Sequence, residues 1–278
     1  MDFDLNIFDY KRKCNRPLLA AHRGINRANV PCNSLLAYKI ALKQGADIVE
    51  IDVSKSKDGK LFAFHPGMEP VYLDCGKYIS ETTAAEVEKL PLLNCDHVPT
   101  HYRVPTLQQA LELLKGKCYI NVDKFWTDVE GITKEIRKAG VEKQVIVKTG
   151  VDEKSLEEVE RFAPELMFMP LVRGKDTTTE KLLKRNINFI GNEILFATET
   201  DDVIQPEYID YLHAHNLLVW ANAIVYDERD VISAWHTDDS AFEVSPDHGW
   251  GWLIDCGVDI IQTDWLSEAK SYIINRCV

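Results

Sequence analysis

The first quarter of the chain places acid, base and cation side chains at the ends of short apolar runs. His22-Arg23-Gly24 follows Leu18-Leu19-Ala20-Ala21, Glu50 and Asp52 lie within residues 46–53, and His65 follows Leu61-Phe62-Ala63-Phe64. Alternate side chains of a strand share a face, so Glu50 and Asp52 point the same way. Two carboxylates side by side on an apolar strand repel each other and lose hydration unless a cation neutralises them. A hard, oxygen-liganded divalent ion, Mg²⁺ or Ca²⁺, is the matching partner. The alternative is a solvated strand end without a role, and the apolar flanks speak against it. Each histidine sits where a buried strand emerges into a loop. With Arg23 beside one of them, the pair suits general acid and base work on a phosphate ester. Either histidine alone equally fits a satisfied structural residue; the combination with the acids points to chemistry.

The elements that must position these groups are apolar runs alternating with amphipathic stretches, which is an α/β pattern of βα units rather than of hairpins. The runs predict strands at 18–22, 47–53, 61–65, 118–123, 144–148, 166–171, 188–194, 217–222 and 259–263. That is one more than an eight-stranded barrel needs. Either the run at 61–64 forms a hairpin with its predecessor through Lys57-Asp58-Gly59, or one late run is not a barrel strand. Asn33 is expected to cap a helix stopped by Gly45, and Thr106 one ending near Gly116. Residues 155–162 and 180–184 read as further crossovers. The stretch 69–104 is long for a βα connection, and long ordered insertions are often functional covers.

Composition narrows the class. A chain of 278 residues, 45% hydrophobic, suffices for one barrel or two small domains. No Ser/Gly/Pro-rich linker divides it, so the expectation is one domain over residues 1–278 with an insertion near 69–104. The net charge of −12 argues against nucleic acid and against stable membrane association. The first 17 residues lack a signal-peptide core, and nothing approaches the roughly 18 apolar residues of a membrane span. Seven scattered cysteines without CxxC spacing fit reduced thiols and a cytoplasmic location. The oligomeric state is left open.

The order His22-Arg23-Gly24, Asn33-Ser34, Gly45-Ala46-Asp47, Glu50-x-Asp52, Lys57-Asp58-Gly59, His65 resembles the glycerophosphodiester phosphodiesterase family. Looser matches continue at Pro105-Thr106-Leu107, Asn121-Val122-Asp123-Lys124, Trp220-Ala221-Asn222 and 257–264. The resemblance implies a TIM (β/α)8 barrel of the phospholipase C-like phosphodiesterase type. It implies His22 and His65 as acid and base, Glu50, Asp52 and Asp123 as ligands of one divalent metal ion, Mg²⁺ or Ca²⁺, and Arg23 on the phosphate. Three departures suggest a divergent subgroup. Pro66-Gly67 replaces the Asp that usually follows the second histidine. Asp123 with Lys124 directly after it replaces a Glu with Lys two residues on, so Lys124 need not point into the site. Cys32 stands for the Glu before Asn33.

Other strand-end residues are weaker candidates. Lys148 could neutralise a phosphate oxygen, Glu193 could bind metal or a hydroxyl, and Lys124, Glu193, Trp220 and Asn222 are candidates for a substrate pocket. Trp220 and Asn222 share a face, Trp220 either stacking on an alcohol moiety or filling the interior. The acid- and aromatic-rich stretch at 236–252 reads as a lid, an aromatic wall for a choline-like cation, or a plain acidic loop. The expected function is metal-dependent hydrolysis of a small-molecule glycerophosphodiester to glycerol 3-phosphate and an alcohol. The alternatives are a phospholipase D-like or cyclising enzyme on lysophospholipids, or a non-catalytic barrel that binds a phosphorylated ligand.

Overall fold

A computed structural model describes residues 3–174 and 178–277. Its strands are β1 (Leu18–Ala21), β2 (Ile48–Lys55), β3 (Leu61–Ala63), β4 (Pro91–Leu93), β5 (Pro99–Arg103), β6 (Tyr119–Asp123), β7 (Val145–Val147), β8 (Met167–Phe168), β9 (Leu171–Val172), β10 (Gly191–Ile194), β11 (Leu218–Asn222) and β12 (Ile260–Thr263). The chain forms two compact units, one spanning His22–Lys148 and the other the described residues up to Ala21 and from Thr149 onward.

In the His22–Lys148 unit, β2, β6 and β7 form a parallel sheet in the order β7-β6-β2. Strands buried on both faces read as near-continuous apolar runs, and all of β2 except Lys55 is buried. Glu50 and Asp52 are therefore acids inside a core strand. β3 is not a barrel strand: it runs back antiparallel along β2, pairing Val53 with Ala63 and Lys55 with Leu61. The turn closes through Asp58, which accepts from Ser56 Oγ and from the Ala84 amide. The hairpin reading of Lys57-Asp58-Gly59 thus holds.

The stretch 69–104, expected as an insertion, is ordered. It carries short helices at Glu69–Tyr72 and Ala84–Val87 and the β4-β5 hairpin. Leu73, Ile79, Val87, Leu92 and Val104 pack with Phe62 and Phe64 in one buried cluster beneath it. Helix Leu35–Gln44 is capped by Ser34, whose side chain accepts from the Ala37 amide, and ends at Gly45 with φ 76°. Asn33, expected as that cap, instead takes a left-handed backbone with φ 52°. Thr106 caps helix Leu107–Leu114 in a reciprocal box with Gln109, as the sequence suggests.

In the other unit the parallel order is β1-β12-β11-β10-β9. The stretch expected as one strand at 166–171 is split into β8 and β9 by Met169-Pro170. Residues 236–252 form a helix at Asp238–Glu243 and a π-turn at Asp247–Gly251. Trp250 is buried and donates to Asp238, while Trp252 stacks on the buried His236 at 3.8 Å. These rings brace the segment, so an aromatic wall is not what they form.

Candidate active site

The β2–β6 register sets the site. Asp52 lies directly opposite Asp123, and Glu50 opposite Asn121. Like charges facing across a ladder are unfavourable, so cations must converge there. Arg23 does so from the loop before Gly24: its Nε is 3.0 Å from Asp52 Oδ2, and its backbone amide donates to Glu50 Oε2 at 2.7 Å. The loop can approach this closely because Gly24 has φ +72° and lies against helix Leu35–Gln44; a Cβ there would sit 2.8 Å from the Ala37 carbonyl carbon.

Asn33 is the site residue that sequence reasoning missed. Its Nδ2 donates to Asp52 Oδ2 at 2.8 Å, and its Oδ1 accepts from Tyr38 Oη at 2.9 Å and from the Asp52 amide at 3.3 Å. The left-handed turn aims the side chain back at β2. Apart from its place in the motif order, its sequence signal is the position ahead of the helix, which reads as a cap.

His65 reaches the acids because the hairpin returns it to them, with the Phe64 amide donating to the Asp52 carbonyl at 3.1 Å. His65 Nδ1 lies 2.8 Å from the Pro66 carbonyl. A carbonyl only accepts, so Nδ1 carries the hydrogen and Nε2 the lone pair in the neutral ring. Nε2 stands 3.9 Å from Asp52 Oδ1. Pro66 thus orients the imidazole through its backbone carbonyl. Burial lowers the His65 pKa below 6.5, with Arg23 and Lys124 adding to the effect and Asp52 opposing it.

Lys124 also reaches the site, which its position in the sequence left open. Its backbone is left-handed, with φ 59°. That turn brings Nζ to 2.6 Å from Asp123 Oδ2 and 3.8 Å from Asp52 Oδ1. Burial alone would raise the Asp123 pKa, but Lys124 and Lys148 outweigh it and hold the carboxyl below its usual value. Burial, then Asp52, pushes Glu50 up to about 8, against the pull of His22 and Arg23. Cys32 is buried and its thiol is pushed up to about 12, chiefly by burial, so it stays protonated at neutral pH. Glu69 is held within the insertion, accepting from the Ile79 amide.

Glu50, Asp52 and Asp123 each present a ligand atom within 4.8 Å of the others. Three hard oxygens, one on a carboxyl driven toward protonation for want of positive charge, fit a divalent cation of the Mg²⁺ or Ca²⁺ type. The remaining candidates, Glu193, Trp220 and Asn222, lie on neighbouring strands of the other unit. Asn222 donates to Glu193 Oε1 at 2.6 Å and accepts from Trp220 Nε1 at 3.2 Å. Trp220 is fully buried and fills the interior.

A family model described as a domain of unknown function matches residues 168–273. The chain is 26% identical over 260 residues to a glycerophosphodiester phosphodiesterase of Bacillus altitudinis, covering 90% of this chain and 95% of that one. It is 29% identical over 159 residues to the enzyme of the same name from Caldanaerobacter subterraneus subsp. tengcongensis, covering 54% of this chain and 65% of that one. Among solved structures, a glycerophosphoryl diester phosphodiesterase from Parabacteroides distasonis superposes with a TM-score of 0.76 at 22% identity, covering 94% of this chain and 87% of that one. The fold is accordingly the α/β TIM barrel, and the chain's curated relatives are phosphoric diester hydrolases. Within that class the chain is a divergent relative of the glycerophosphodiester phosphodiesterases.

Proposed function

We propose that this enzyme hydrolyses glycerophosphodiesters to glycerol 3-phosphate and an alcohol, with one divalent metal ion held by Glu50, Asp52 and Asp123 and with His22 and His65 as the proton-transfer pair. The observation that carries the reading is the convergence of three carboxylates, Arg23 and His65 at one end of the parallel strands of the His22–Lys148 unit.

Arg23 is fixed by Asp52, so its remaining guanidinium donors are oriented in advance toward a phosphate oxygen. When bound, the metal supplies Lewis-acid stabilisation of charge on the phosphoryl oxygens. His65, kept neutral by burial and turned by Pro66 so that Nε2 has the lone pair, takes the proton of the nucleophile. The nucleophile is water or the substrate's neighbouring hydroxyl, the latter giving a cyclic phosphate that is then opened. His22, directly after β1, protonates the departing alcohol. Lys148, buried at the end of β7, adds positive charge near Asp123.

The test is release of glycerol 3-phosphate from a panel of glycerophosphodiesters carrying choline, ethanolamine, glycerol or inositol. Wild-type protein turns over at least one of them, and His22→Ala and His65→Ala each lose about 10²–10⁴-fold in kcat while remaining folded. Near-normal turnover by both variants contradicts the assignment, and activity confined to acylated diesters redirects it to lysophospholipids.

A further inference from the structure

We propose that Lys124 is a built-in competitor for the metal ion, its ammonium holding the cation position beside Asp52 and Asp123 until a divalent ion displaces it. The inference rests on the metal reading above and concerns what happens at that site before the ion arrives.

Lys124 follows its acid directly, and only a left-handed backbone turns it back over Asp123. Nζ then contacts Asp123 Oδ2 at 2.6 Å and lies 3.8 Å from Asp52 Oδ1, so it addresses two of the three carboxylates that would hold the ion. Nζ also lies over the Trp126 ring, which is 40% exposed, 5.2 Å from its centroid.

Charge decides what this arrangement does. Arg23 and Lys124 contact these acids and Lys148 lies near Asp123, so the carboxylates already have cations beside them. An ammonium at hydrogen-bond distance from Asp123 and a divalent cation on the same carboxylate repel at close range in a partly buried pocket. Metal entry therefore expels the ammonium. The aromatic face of Trp126 gives it a place to go, because a cation over an indole keeps part of the stabilisation it loses on leaving the carboxylates. The arrangement keeps the acids together while the metal is away, at a cost in metal affinity.

Calorimetric titration with Mg²⁺ and with Ca²⁺ tests this on the full chain, comparing wild type with Lys124→Met. Lys124→Gly serves as a second variant, since glycine takes a positive φ without strain. Circular dichroism confirms that each is folded. The expected result is metal binding about 10-fold or more tighter in both variants, because a like charge has been removed from beside the ion. Wild-type emission should also change on titration, and that change should be absent in Trp126→Phe. Binding in wild type that is equal or weaker in both variants overturns the proposal and leaves the metal reading standing. Binding by none of the proteins overturns both.

Discussion

Glu50 carries the tension that the rest of the site resolves. It is an acid on a core strand, raised to about 8 by burial and by Asp52. Below that pH the folded protein holds a proton where the metal must bind, so proton and metal compete. Metal affinity is expected to fall roughly tenfold per pH unit below about 8, with close to one proton released per ion bound near neutral pH. Titration calorimetry in two buffers of different ionisation enthalpy measures that release; affinity that stays flat from about pH 6 to 8 contradicts it. The charged residues of this site were legible in sequence because Glu50-x-Asp52 breaks an apolar run and both histidines stand at run ends. Asn33 was not. Asn and Ser cap helices about equally well, and only the backbone shows that Ser34 takes that role while Asn33 turns toward Asp52. The reach of Lys124 was hidden for the same reason, since one left-handed residue reverses where a side chain points.

Among the elements, the β2–β3 hairpin does most to assemble the site. It brings His65 back to Asp52 although residues 56–60 carry the chain away between them. The sequence offered the hairpin and a barrel strand as alternatives, because an apolar run of this length fits either; the pairing of Val53 with Ala63 decides it. The other shaping contact is the loop at Gly24 against helix Leu35–Gln44. Gly24→Ala adds a Cβ at a positive φ and 2.8 Å from backbone, so neither rotamer change nor side-chain repacking relieves it. A loss of about 1–3 kcal/mol in stability is expected from a denaturant midpoint, accompanied by loss of turnover as Arg23 moves off Glu50 and Asp52. Unchanged stability and activity would show that the loop is not under this constraint. The limits of β8 and β9 were illegible because Met169-Pro170 is apolar and continues the run while Pro170 has no amide to donate to the ladder.

For the whole molecule, the net charge of −12 sits on a fold that also buries acids outside the His22–Lys148 unit. Asp238 is the clearest of these: it accepts from Trp250 Nε1, Thr263 Oγ1 and the Asp264 amide, yet burial dominates and pushes it up to about 7. The folded state therefore holds a proton that the unfolded chain, with its ordinary value of 3.8, releases. Stability from this group is fully present below about pH 4 and is lost as pH rises toward 7, by roughly 1.4 kcal/mol per unit while only the unfolded state is ionised. Melting curves across that range should show a slope in wild type that Asp238→Asn removes; identical slopes contradict it. No helix among the described residues is long and apolar enough to cross a membrane. The α/β alternation was readable from periodicity, whereas the bracing of residues 236–252 was not, because its buried aromatics and acids have the composition of a surface loop. The central claim, a diester hydrolase whose acids hold a metal, is tested most directly by stripping the purified protein with EDTA. Glycerol 3-phosphate release is then followed as Mg²⁺ or Ca²⁺ is added back. The account predicts loss of turnover on stripping, recovery that saturates at one ion per chain, and no recovery in Asp123→Asn. Full turnover by metal-free protein, or recovery in that variant equal to wild type, would contradict it.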